Sequence, residues 1–152
     1  SWTDVAGWAN GTDATLSFDV ASSEFEYGYQ YRCIITDADG SQVITEAAWV
    51  EAAPLTIVTQ PQNVTAKVGD TVSFSVAVSG GTGPYTYQWE FTTVNLSEWR
   101  EVLDVWATGG TDNTMSIQVD VVEWNNQYKY RCVITDAAGN QVITNAVWVI
   151  EN

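Results

Sequence analysis

A stretch of 22 residues occurs twice in this chain. Tyr29–Val50 (YQYRCIITDADGSQVITEAAWV) and Tyr128–Val149 (YKYRCVITDAAGNQVITNAVWV) agree at sixteen of 22 positions without a gap, at an offset of 99 residues. Self-similarity at that period constrains the fold to repeated supersecondary units rather than one continuous architecture. The likeness continues upstream, where Ala14–Val20 (ATLSFDV) aligns with Asn113–Val119 (NTMSIQV) and the triplet GTD recurs at Gly11 and Gly110. Trp2 and Val5 then fall on Trp99 and Val102 after a small change in length. The second copy extends back to about Pro54, whereas the first has no such counterpart. Residues 1–53 therefore match only the later half of a unit that residues 54–152 carry in full.

The full copy reads as short strands separated by turn residues. LTIVTQP is an edge segment closed by Pro61, which has no N–H for a ladder. NVTAKVGDT supplies a second edge piece ending in a Gly-Asp turn. Thr71–Val78 (TVSFSVAV) alternates strictly and is expected as one strand, with Val72, Phe74, Val76 and Val78 on one face. Tyr85–Phe91 follows after a Gly-rich loop, then WREVL, TMSIQVDV and YKYRCVIT. The last of these turns through Asp136–Gly139 into NQVITNAVWVI, a hairpin that places Gly139 in the left-handed region. Strands at this spacing with no helical period predict an all-β sandwich. Trp49 and Trp148 are expected to point inward on the final strands and cap it.

Composition narrows the function. The formal charge is −14, with Arg32, Lys67, Arg100, Lys129 and Arg131 opposing nineteen acids. Such a surface repels phosphate backbones, so neither nucleic acid nor membrane insertion is expected. No apolar run approaches the roughly 18–20 residues of a membrane helix, and with Ser1 opening directly into patterned sequence no signal peptide is expected within these residues. The two cysteines, Cys33 and Cys132, are expected on inward faces of different domains, as buried small hydrophobes that do not pair.

Trp89 lies 13 residues after Val76, and Tyr130 two before Cys132. That is the spacing of the immunoglobulin fold, with a core Trp on the third strand, a Cys on the sixth and a Tyr just before it. Val76 occupies the place of the first Cys, so no inter-sheet disulfide is expected. The wording of LTIVTQPQNVTAKVGDTVSFSVAVSGG, YTYQW and YKYRCVITDAAGNQVITNAV resembles the tandem bacterial immunoglobulin-like repeats of large secreted or cell-surface proteins. The fold class implied is immunoglobulin-like β-sandwich repeats, one partial (1–53, the strands after the core-Trp strand) and one complete (54–152). About 50 residues are below the size at which a core usually supports itself. Tyr29, Tyr31, Cys33 and Ile35 should face a sheet that residues 1–53 do not supply. A longer array, strands from other molecules or an unpaired sticky half would each account for that.

Candidate chemistry is sparse. The chain has no His, and Arg32 and Arg131 alternate away from the adjacent cysteines. Asp37 and Asp39 in TDADGS resemble the start of a calcium loop, but the second copy reads TDAAGN, and a hairpin turn accounts for both. Lys129 points outward and Gln30 replaces it in the first copy, which argues against the internal isopeptide bond known in some surface domains. Trp99, Trp106 and Trp8 lie in the less regular stretches, where they either stack on sugar rings or pack against the sandwich edge and a neighbouring repeat. Sequons occur at Asn10, Asn63 and Asn95.

The expectation is a non-enzymatic extracellular repeat (a stalk, spacer or fibre-forming segment of a bacterial surface or secreted protein) without cofactor or metal. Its partners would be neighbouring immunoglobulin-like repeats or other copies in a polymer, joined by the short connector EAAPLT that Pro54 keeps extended. The alternative is a carbohydrate-binding or adhesive module using its surface Trp residues.

Overall fold

The structure is a computed structural model describing residues 1–5, 9, 11–21, 23–24 and 27–152. It divides into two compact units, Ser1–Glu51 and Ala52–Asn152.

In the first unit the strands are β1 (Gln30–Tyr31), β2 (Ile34–Thr36), β3 (Gln42–Ile44) and β4 (Ala48–Trp49). β1 pairs antiparallel with β4 and β2 with β3, Ile34 opposite Ile44. Asp37 makes the hairpin between β2 and β3. Its carboxylate accepts the Asp39 and Ser41 N–H groups at 3.0 and 2.8 Å, and Gly40 takes φ +85°. An Asx side chain that bonds its own loop and a Gly with positive φ are the local chemistry such a turn needs.

The second unit carries β5 (Thr56–Thr59), β6 (Val64–Ala66), β7 (Thr71–Ser75), β8 (Ala77–Ser79), β9 (Thr86–Thr92), β10 (Arg100–Glu101), β11 (Ala107–Thr108) and β12 (Thr114–Gln118). A short helix, α1 (Val121–Asn125), follows, then β13 (Lys129–Thr135), β14 (Gln141–Ile143) and β15 (Val149–Glu151). One sheet runs β10-β9-β13-β14 and the other β11-β12-β7, while β15 pairs parallel with β6 and β5 pairs with β8. The expected all-β sandwich is present, without a disulfide among the described residues. Both sheets turn their alternate residues onto one core. Phe74, Trp89, Met115, Tyr130, Cys132 and Ile134 are all fully buried there. Phe74 stacks on Tyr130 with ring centroids 5.6 Å apart, and the Trp89 indole N–H donates to the Asp112 carbonyl at 2.9 Å.

Four sequence expectations change. TVSFSVAV is two strands, because the chain switches sheets at Val76: β7 pairs with β12, β8 with β5, and the Val76 N–H donates to Asn113 between them. Val76 itself still points inward. α1 was not expected; its signal was local, since Asp120 caps it by accepting the Val122 N–H and Glu123 supplies the acidic first turn. Trp148 faces outward, because Val147 exchanges two backbone hydrogen bonds with Tyr130 and takes, with Val149, the inward positions on either side. Trp49 is likewise exposed, its indole N–H donating to Glu51. Cys132 is buried as expected, but Cys33 is exposed, since among the described residues β2 pairs only with β3 and no second sheet of its own unit lies over it.

Candidate interaction surfaces

The sheet containing β9 and β13 presents two aromatic faces at one end of the second unit. On its outer face Arg131 bonds Glu90 at 2.7 Å, and its guanidinium lies 4.3 Å from the centroid of the Trp99 ring. Strand alternation puts both Arg131 and Glu90 outward, so Trp99 partly covers their ion pair and stacks on its cation. On the inner face Trp106 meets Phe91 edge-on at 5.3 Å and lies 6.4 Å from Tyr130, with Tyr128 stacked on Phe91 at 5.4 Å. Trp99 and Trp106 thus lie on opposite faces of one sheet, and the structure does not bring them together. Trp106 stays 38% exposed at the rim of this cluster. Trp8 lies outside the described residues, as does Asn10.

A shallow cleft of about 280 Å³ opens between Trp124, Tyr128, Lys129 and Trp148. The Lys129 ammonium sits 5.9 Å from the Trp148 ring centroid, pointing outward as its strand position required. Behind the cleft the Tyr130 hydroxyl donates to the Glu123 carboxylate at 2.6 Å. Burial raises the Glu123 carboxyl above its ordinary value, and the bond from Tyr130 opposes part of that rise. Burial, then the Glu123 charge, holds the Tyr130 phenol neutral. Burial also pushes the Cys132 thiol up to about 12, which leaves it a packing group.

The first unit repeats this local chemistry, at the 99-residue offset for every partner but the Trp, which follows the small change in length upstream. Tyr31 donates to Glu24 as Tyr130 does to Glu123, and the Arg32 guanidinium lies 4.2 Å from the Trp2 ring centroid. The Cys33 N–H donates to Thr45 Oγ1 at 2.9 Å, as the Cys132 N–H does to Thr144 Oγ1. Desolvation, then the bond to Glu24, pushes the Tyr31 phenol up to about 12. The Tyr–Glu pair was missed in the sequence, although the spacing of seven residues recurs in both copies. What differs is cover. Tyr29, Ile34, Ile35, Val43 and Ile44 are all exposed, and a groove of about 690 Å³ lies beside Trp2, Glu24, Tyr27 and Tyr29. Among the described residues no three His, Cys, Asp or Glu side chains gather in a way that could hold a metal ion. No helix among them is long and apolar enough to cross a membrane.

A model of the immunoglobulin domain matches residues 56–136, more than half of the chain. No curated protein matches the sequence. Among solved structures, a three-domain immunoglobulin segment of titin superposes with a TM-score of 0.52 at 15% identity, over 81% of this chain and 41% of that one. Extracellular domains 3–5 of Drosophila OTK give a TM-score of 0.48 at 18% identity, over 81% of this chain and 39% of that one. The first two immunoglobulin domains of the Drosophila receptor protein tyrosine phosphatase DLAR give 0.47 at 21%, over 66% and 50%. This chain therefore spans half or less of the length of each, and at these identities the likeness is one of fold alone.

Proposed function

Because the chain belongs to the immunoglobulin domain family, we propose that it is a non-enzymatic structural repeat, a stalk or spacer segment of a bacterial surface or secreted protein. Residues 54–152 form a complete domain on this reading, and residues 1–53 are the later half of another. The observation that carries it is the duplicated hydrogen-bond chemistry. Tyr–Glu, Cys–Thr and Asp-turn bonds recur at 99 residues' separation, so both copies are built as the same part of the same unit. A spacer needs stiffness and resistance to proteolysis rather than a reactive centre. The Pro54 connector and the scarcity of basic residues serve those needs, and the packed core of the second unit supplies the stiffness. The partners are further immunoglobulin repeats, and the location is outside the cell.

A second reading, a carbohydrate-binding module, is favoured by the cleft at Trp124, Tyr128 and Trp148, because aromatic faces beside a few polar groups suit a pyranose ring. Trp99 and Trp106 would contribute to it only separately, from opposite faces. Titrating the chain with soluble polysaccharides while following Trp fluorescence decides between the two. A spacer gives no saturable change; saturable quenching that Trp148→Ala abolishes would establish the binding module instead.

A further inference from the structure

We propose that the cleft at Glu123, Trp124, Tyr128 and Trp148 is a binding site for a quaternary ammonium group, the head of a choline-like ligand. The site is built wholly from side chains of the second unit, and it depends on neither reading of the chain's role.

The fold sets the walls in place. Trp124 comes from α1, Tyr128 from the residue before β13, and Trp148 from the residue before β15. Trp124 and Tyr128 pack against the core, and Phe91 stacks on Tyr128 at 5.4 Å, so these two rings are held before any ligand arrives. Trp148 faces outward at the mouth. At about 280 Å³ the cleft lies just under the range of drug-sized ligand sites, roughly 300–1,000 Å³. It has room for one small head group.

Charge selects a cation. The Lys129 ammonium already sits 5.9 Å from the Trp148 ring centroid, within the reach of about 6 Å over which a ring face attracts a cation. Lys129 is exposed on a flexible stem, so a ligand can displace it. Glu123 lines the same cleft and forms no ion pair, since the salt bridges among the described residues are Arg100–Glu98 and Arg131–Glu90. Its Oε2 accepts the Tyr130 hydroxyl at 2.6 Å, which leaves Oε1 without a hydrogen-bond partner among the described residues. Trp124 Nε1 is the one buried side-chain N or O atom among them that lacks a partner, so Glu123 Oε1 is open to solvent. A half-buried carboxylate is stabilised by a cation placed beside it. The net charge of −14 draws cations towards the surface and repels anions. The walls also choose the kind of cation. A primary ammonium gives up three N–H bonds to water that indole faces cannot replace. A trimethylammonium group has no N–H to lose and turns methyl groups to the rings.

The test is a titration of the full chain with choline chloride at constant ionic strength, read by nuclear magnetic resonance of the Trp indole N–H groups. The Trp124 and Trp148 signals should shift saturably. The uncharged isostere, in which a tert-butyl group replaces the trimethylammonium head, should bind about tenfold more weakly. Trp148→Ala removes an outward ring, leaves the core intact and should weaken binding about tenfold. Glu123→Gln keeps an acceptor for Tyr130 and should weaken it about fivefold. Lys129→Gln removes the competing cation and should tighten binding about threefold. Absence of a saturable shift overturns the site. Equal binding of choline and its isostere also overturns it, because the cleft would then be merely apolar. An unchanged affinity in Trp148→Ala would place the ligand elsewhere, and weaker binding in Lys129→Gln would contradict displacement of the lysine. A neutral hexose that shifts the same signals at lower concentration would assign the cleft to sugars instead.

Discussion

Cys33, just before β2, and Cys132, within β13, lie in near-identical sequence leading into the same kind of Asp turn, each donating its N–H to a Thr hydroxyl twelve residues on at 2.9 Å. One is exposed and the other wholly buried. The same holds one turn of alternation further along, where Ile134 is inaccessible and Ile35 is 53% exposed. Local bonding therefore follows local sequence, and burial does not. In the second unit β7 and β9, which arrive from far earlier in the chain, turn an otherwise similar hairpin into the wall of a core. Most of the stabilisation of such a hairpin comes from that non-local burial, since a two-stranded hairpin is marginal by itself.

Substitutions that separate cover from local bonding test this difference. The largest effect is expected from Trp89→Ala, which empties the centre of the second core and orphans the Asp112 carbonyl. It should cost about 4 kcal/mol in chemical denaturation, while hydrogen exchange of β2 and β3 is unchanged. Loss of protection in both units together would mean that they fold as one body. Next, Ile134→Ala should cost about 3 kcal/mol, and Ile35→Ala less than about 0.5 kcal/mol. Equal costs would show that the first unit's face is covered in solution.

A smaller contrast is expected from the paired threonines. Thr144→Val leaves the buried Cys132 N–H without its acceptor and should cost about 1–2 kcal/mol. Thr45→Val, at an exposed N–H that water can satisfy, should cost a few tenths, about 0.3 kcal/mol. Both are measurable from denaturation midpoints. The smallest effect concerns pH. Hydrogen bonds from Asn140, and from the Thr82 and Ala138 backbone, hold the Asp136 carboxyl below its ordinary value. A depressed folded pKa means that its contribution is present above the unfolded value, near about 4, and is lost as pH falls through the lower folded one. The stability advantage of the native chain over Asp136→Asn should therefore shrink on acidification from about pH 5 to about pH 2. A constant difference across that range would assign the turn's stability to backbone geometry alone.

Much of the second unit was legible because its signals are short-range. The alternation of Val72, Phe74 and Val76, the Trp89 and Tyr130 spacing and the Asp136–Gly139 turn each fix a local conformation or a facing direction. Where the reading slipped, a distant contact had intervened. TVSFSVAV does not say that the strand changes sheets at Val76, since that depends on Asn113 on one side and β5 on the other. Trp148 was placed inward by alternation along the final strand; the bridge between Val147 and Tyr130 set the opposite phase. The aromatic candidates show the same limit. Sequence placed Trp99 and Trp106 near one another along the chain, and the sheet between them separates their faces. The cleft at Trp124 and Trp148 joins residues of the short helix and the last strands, a proximity no sequence pattern announces.

By itself, then, the sequence determined the repeat, its period, its turns and the inward set of the central strands of the second unit, because these depend on backbone propensity and on residues a few positions apart. Only the tertiary structure decided which of two equivalent hairpins became a core wall and which Trp rings remained outside. Those outcomes depend on which distant strand lies alongside, and the side chains of the hairpin cannot specify a neighbour that comes from elsewhere.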